Sequence, residues 1–227
     1  MAITTPETPR RGSGRPTASG AAELAARIID VATAAFLADG YAASSIESIA
    51  ARAGVAKRTL YARWRDKPAL FRAVLERLMT RWLASEAPAA SDADGLESTL
   101  VKTARHILAV ALEPDALALH RLMIAESGRF PELIEMVRQA GAAAGVGRIV
   151  ALLQAEMAAG RLVPSDPGVA AEQFLHLVLT GPQRRALGLG PAFDAAERDA
   201  CVRAAVTLFL NGCRPRLPGI NHDQSID

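Results

Sequence analysis

The chain has 227 residues, half of them apolar but only 4% aromatic, and its 26 basic and 24 acidic side chains leave a formal charge of +2. That is one medium domain or two small ones, long enough to bury a real core. No run reaches the roughly 18 uninterrupted apolar residues that a membrane span needs, because polar groups such as Glu172 and His176 break each candidate, so no membrane partner is expected.

The first twenty residues lack the apolar segment of a secretory signal, and a cytoplasmic location is expected. Forty-seven alanines and the absence of sustained alternating runs predict an all-α protein. Cys201 and Cys213 stand twelve apart with no spacing partner, which predicts free structural thiols, no metal site and no cofactor. The near-zero charge hides an asymmetry: residues 1–83 carry 13 basic and 7 acidic groups, a balance of +6, and the remainder balances at −4. Chains with one electropositive end often meet a polyanion there.

Residues 1–19 are rich in Pro, Gly, Ser and Thr with three arginines, a composition too poor in apolar groups to fold alone. Leu24, Ile28, Val31, Ala35 and Phe36 recur at helical spacing over 21–39, with Gly40 as the stop. Ser44 and Glu47 then have the spacing of a capping box for a short helix carrying Ile46, Ile49 and Ala50 inward. Gly54 allows a tight left-handed turn. A second short helix follows over 56–64 with Leu60 inward, and Asp66 caps a fourth from Lys67-Pro68 to about Leu83. A Pro- and Gly-containing stretch over 84–95 is the expected boundary between a domain over 20–83 and another over 96–212, followed by a tail over 213–227. Five helical patterns fill the second half: 96–112, 115–127, 131–159, 167–189 and 194–210.

Helix, glycine turn and helix over 44–64 have the dimensions of a helix-turn-helix, whose second helix enters the DNA major groove. The run from Lys57 to Lys67 puts five cations, the Thr59 hydroxyl and the Tyr61 phenol around one apolar leucine, a surface able to neutralise phosphates and offer donors to bases. Physics alone leaves a solvated cationic helix open as the alternative.

The spaced set Ile-x-x-Ile-Ala, Ala-Gly-Val at the turn, Thr-Leu-Tyr, an aromatic at Trp64, and Lys67 with Leu70 and Phe71 resembles the DNA-binding domain of the tetracycline-repressor (TetR) family of bacterial regulators. The resemblance implies an N-terminal three-helix DNA-binding domain followed by a helical bundle for ligand binding and dimerisation. It also implies that Lys57, Arg58 and Thr59 face bases and that Tyr61 and Lys67 hold phosphates, with Arg63, Trp64 and either Ser44 or Ser45 beside them. Lys and Arg suit guanine acceptors, and Thr can touch a thymine methyl. Ala56 stands where the family often has a capping serine, and Arg63 replaces a more usual histidine or aromatic. Arg15, in a Gly-Arg-Pro context, resembles the minor-groove hook of flexible arms; an inert basic tail is the alternative.

His120 to Leu133 resembles the AefR-like C-terminal domains attached to many such regulators. A small, largely hydrophobic effector is then implied, and His106, His120, Met123, Glu126, Phe130, Met136, Gln173, Phe174 and His176 are the candidate lining residues. In this family the last two helices of each chain pair as a four-helix homodimer interface, for which Phe174, Leu175, Val178, Val202, Val206 and Phe209 are the candidates. A two-fold protein implies a near-palindromic duplex site. No nucleophile stands with a base, and Gly141, Gly145 and Gly147 lack a phosphate loop's Gly-Lys-Ser/Thr, so no enzymatic chemistry is expected. A non-specific architectural DNA binder and a small-molecule-binding bundle without a regulatory role are the alternatives.

Overall fold

The computed structural model describes residues 18–84, 95–141 and 146–214, which form ten helices and no strand. The basic arm with Arg15, the linker and most of the C-terminal tail lie outside the described residues. α1 (Ala18–Asp39) begins three residues before the apolar periodicity does and ends at Gly40, whose φ of +88° lies in the left-handed region. α2 (Ile46–Ala53) and α3 (Lys57–Tyr61) flank Gly54, with φ +66°. α4 (Lys67–Ala84) starts where the Asp66 carboxylate accepts from the Ala69 amide at 2.8 Å, as the Asp-Lys-Pro order predicts.

The second half supplies α5 (Leu96–Ala111), α6 (Pro114–Glu126), α7 (Pro131–Gly141), α8 (Gly147–Ala158), α9 (Pro167–Ala186) and α10 (Ala195–Cys213). The single pattern expected over 131–159 is two helices. Glycines 141 and 147 mark the two facing ends, in keeping with the poor helix propensity of glycine. Asp166 accepts from the amides of Gly168 and Val169 to start α9, and Asp194 forms a capping box with Glu197 to start α10.

Two hydrophobic cores result. The first joins α1 to α4 and also takes Leu119 and Leu122 of α6 and Leu133 and Met136 of α7. The second is built from α5, α8, α9 and α10 around Leu100, Leu153, Phe174, Val178, Val206 and Phe209. Each fully buried Leu or Phe contributes about 1.5–3 kcal/mol relative to exposure. The division between cores therefore does not fall at the 84–95 linker, because α6 and α7 complete the core of the first half. Polar ties reinforce that junction: Trp82 Nε1 donates to Glu113 at 2.9 Å, and Arg81 meets Asp115 at 2.8 Å.

Candidate nucleic-acid interface

The start of α2 differs by one residue from expectation. Ser45 is the N-cap: its Oγ accepts from the Ser48 amide at 3.0 Å, and Ser48 Oγ accepts in turn from the Ser45 amide. Ser44 is buried and its hydroxyl donates to the Gly40 carbonyl at 2.8 Å, so the Ser44–Glu47 box does not form. The physical reason lies upstream. Tyr41 is 2% exposed in the first core, and the turn that buries it carries Ser44 inward and leaves Ser45 extended. Glu47, freed from capping, meets Lys57 at 3.2 Å; its carboxyl is held below the usual range by its own backbone amide and then by Lys57.

α3 is shorter than the expected 56–64. Ala56 caps nothing, Leu60 is fully buried, and the amides of Arg63 and Trp64 both return to the Leu60 carbonyl, which turns Trp64 into the core. Trp64 is 8% exposed, so it is a core residue and not a contact for a duplex. Lys57, Arg58 and Arg63 are exposed, Tyr61 is 48% exposed and Thr59 is half-buried. No ion pair of Arg58 is found among the described residues. Arg63 reaches back to the Ala21 carbonyl at 3.2 Å, which ties α3 to the start of α1.

Beside α3 lies a notch of about 490 Å³ between the α1–α2 turn, the N-terminus of α2 and the segment that leads into α4. It is lined by Ala42, Ser44, Ser45, Ile46 and Glu47 from the turn and α2, and by Tyr61, Arg65, Asp66 and Lys67 from the chain between α3 and α4. Two carboxylates share the recess, Glu47 paired with Lys57 at 3.2 Å and Asp66 with Arg65 at 2.9 Å, so the formal charges of the lining balance. What it offers an oxyanion such as a backbone phosphate is the N-terminus of α2, the Tyr61 phenol and the exposed Arg65 guanidinium. Lys67 is half-buried rather than extended into solvent. Its Nζ donates to the carbonyls of Tyr41 at 2.7 Å and Ser44 at 2.9 Å and lies 4.2 Å from the centre of the Tyr41 ring. Burial lowers its pKa, and attraction from Glu126 opposes that shift. Burial likewise pushes the Tyr41 hydroxyl up to about 12, so the phenol stays neutral. The sequence pattern did not single out Arg65 or Ala42, since nothing local shows that residues 42 and 65 share a recess.

Family models match both halves of the chain: bacterial regulatory proteins of the tetR family over residues 28–74, and the AefR-like transcriptional repressor C-terminal domain over residues 98–212. The chain belongs to the TetR family of transcriptional regulators. The flavonoid-responsive regulator FrrA is 32% identical over 86% of this chain and all of its own, with a TM-score of 0.74. A structure described as a TetR-family regulator from Mesorhizobium loti is 28% identical over 86% of this chain and 98% of its own, at a TM-score of 0.66. A TetR regulator from Agrobacterium tumefaciens, 24% identical with a TM-score of 0.65 over 86% of this chain and 96% of its own, shares the fold. No curated protein matches the chain.

In this TetR-family regulator the nine candidate effector residues do not come together. Glu126 and Met136 are buried in the first core, with Met123 and Phe130 packed against it. Phe174 is fully buried in the second core, and Gln173 and His176 are exposed on the outer side of α9. His106 and His120 are half-buried on α5 and α6. A groove of about 440 Å³ instead lies between α5 and α10, floored by Leu108, Leu112 and Val202 and rimmed by Arg105, Arg198 and Asp199. None of the nine lines it. Helical periodicity assigns residues to a face but does not say which neighbour that face meets, and Arg105 meets Asp199 at 2.6 Å across 94 positions.

The expected dimer residues are corrected on the same ground. Phe174, Val178, Val202, Val206 and Phe209 are at most 5% exposed and form the chain's own second core, with Leu175 packed against it. The large apolar groups that α9 and α10 leave outside are Val169, 51% exposed in the first turn of α9, Leu177, 38% exposed, and Leu208, 62% exposed. Among the described residues no group of His, Cys, Asp or Glu could hold a metal ion, and no helix is long and apolar enough to cross a membrane.

Proposed function

We propose that this regulator is a homodimeric, ligand-responsive repressor that binds a near-palindromic operator and is released from it by a small, largely hydrophobic effector. The observation that carries the reading is the pairing of two surfaces. Lys57 and Arg58 stand exposed on a short helix anchored by Leu60, and the notch that holds Tyr61, Arg65 and the N-terminus of α2 opens beside it. Base-edge donors next to a backbone clamp are what sequence-specific binding requires, whereas an architectural binder needs only the clamp.

Lys57, Arg58 and Thr59 are assigned to bases, and Tyr61, Arg65, Lys67 and the Ser45-capped end of α2 to phosphates. Arg15 is assigned to the minor groove. The dimer is assigned to the exposed stripe of α9, with Gln173, His176, Leu177, Thr180 and Gly181, together with Ala204, Thr207 and Leu208 of α10. Small residues around two leucines allow close helix approach, and isologous pairing would set two recognition helices on one face of a duplex. The similarity to a flavonoid-responsive regulator makes flat, largely apolar phenolic compounds the first effectors to screen.

Selection of duplexes from random-sequence DNA with the full-length protein, followed by footprinting, tests the reading. A single two-fold site with half-sites about one helical turn apart is the expected result. Protection without a discrete palindrome would favour the architectural alternative and overturn this one.

A further inference from the structure

One wall of the notch is fastened from behind by a residue of the other half of the chain. Glu126, in the last turn of α6, is 7% exposed, and its Oε1 accepts from the Ala42 amide at 2.7 Å. Gly40 opens the turn with a φ of +88°, in the left-handed region that favours glycine, and lies beside the same carboxylate. On its other side the turn is held by Lys67 through the Tyr41 and Ser44 carbonyls, and the Phe130 ring packs edge-on against Tyr41 at 5.1 Å. Ala42, Ser44 and Lys67, the groups gripped in this way, all line the notch. A short amide-to-carboxylate bond in a buried setting is among the stronger hydrogen bonds, and losing it leaves two unpaired polar groups.

We propose that Glu126 is a positioning residue for DNA binding: the reach of its side chain from α6 sets the shape of the 40–45 turn and hence of the phosphate notch. The proposal rests on the reading of that notch as a DNA-backbone site. Because α6 also begins at Glu113 and Asp115, which hold Trp82 and Arg81 of α4, it grips the DNA-binding helices at both of its ends. A displacement of α6 then reaches the notch wall through the Glu126–Ala42 bond as well as through the packing of Leu119, Leu122 and Phe130 on the first core.

The test separates reach from charge. Glu126→Asp keeps the carboxylate but withdraws it by about 1.5 Å, one carbon–carbon bond. Glu126→Gln keeps the length and an oxygen acceptor but removes the charge. Each full-length variant is titrated with a duplex enriched by the wild type, across a range of salt, and exchange of the Ala42 amide is followed in the free protein. The aspartate variant should bind at least tenfold more weakly, with a salt slope shallower by about one and faster Ala42 exchange. The glutamine variant should stay within threefold of wild type with Ala42 protected.

An aspartate variant that binds as the wild type does, or a glutamine variant as weak as the aspartate one, overturns the proposal. If the aspartate variant folds poorly, the glutamine variant decides alone: loss of either its affinity or its Ala42 protection overturns it. A wild type that enriches no duplex sinks the DNA-binding reading and this proposal with it, whereas a normal wild type beside a normal aspartate variant sinks this proposal only.

Discussion

The two cores differ in chemistry. In the first, Phe36, Tyr41, Phe71 and Phe130 touch as rings at centroid distances of 5.1–5.7 Å, with Trp64 and Trp82 buried nearby. In the second a single ring pair, Phe174 and Phe209 at 5.2 Å, sits among aliphatic residues and alanines. Rings hold their neighbours in few orientations, so the first core can aim side chains such as Lys57, Arg58 and Lys67 from short helices. Alanines are buried in both cores, so it is the ring network, replaced in the second by Leu, Ile and Val side chains, that separates them. An aromatic platform thus lies under the basic face of α3, beside a largely aliphatic bundle.

The largest test of that contrast removes a ring. Phe71 is fully buried and meets both Phe36 and Tyr41 edge-on, so Phe71→Ala should cost about 3–5 kcal/mol in chemical denaturation and abolish operator binding. A loss below about 1 kcal/mol would mean that the ring cluster is not the platform.

In the second region the informative change is on the outside. Leu177→Glu combined with Leu208→Glu should turn the dimer into a monomer in sedimentation and weaken operator binding by about tenfold or more, while monomer stability moves by less than about 0.5 kcal/mol. Phe209→Ala, on the inward face of the same α10, should instead cost about 3–5 kcal/mol of fold stability. If the exposed-face variant remained dimeric, the pairing surface would have to lie elsewhere.

How much was legible in the sequence follows the same division. Gly54, Leu60 and the Asp66-Lys67-Pro68 start were readable because each acts through local backbone chemistry, and the spaced motif around them places the basic face. The cap was missed by one residue because Ser44 and Ser45 are chemically equivalent, and the burial of Tyr41 decides between them. Phe174, Val206 and Phe209 were read correctly as one apolar face each but assigned to a partner chain, since a helix stripe looks the same whether its own bundle or a second copy covers it. Glu126 gave no local sign of its role: its bond to Ala42 spans 84 positions.

On the DNA-facing surface the expected effects are smaller and differ in kind. Arg58→Ala should cost about 1–3 kcal/mol on the selected operator and relax preference at one base position, because a guanidinium to a guanine edge carries sequence information. Arg65→Ala, at the rim of the notch, should weaken all duplexes about equally and reduce the salt slope by about one. Binding of operator and random-sequence duplexes, compared across salt, separates the two. Equal losses on both duplexes for Arg58→Ala would move it from the base contacts to the phosphate contacts.

The smallest effect concerns acid. Glu156 in α8 is 8% exposed and accepts from Arg161 Nε at 2.6 Å and Nη2 at 2.7 Å, a bidentate pair that closes the turn after the helix. The guanidinium's hydrogen bonds hold the Glu156 carboxyl below its usual 4.5, outweighing burial, which acts the other way. A carboxyl whose folded value is depressed stabilises the fold fully above the unfolded value near 4.5, and that contribution fades as pH falls through the folded value. Arg161 is 60% exposed, so solvent screens the pair and its worth stays below about 1 kcal/mol. Comparing wild type with Glu156→Gln at pH 7 and pH 3 should therefore show a stability gap that narrows on acidification. A gap that widened instead would mean that burial, not Arg161, governs this carboxyl, and that the second core tolerates a charge only by protonating it.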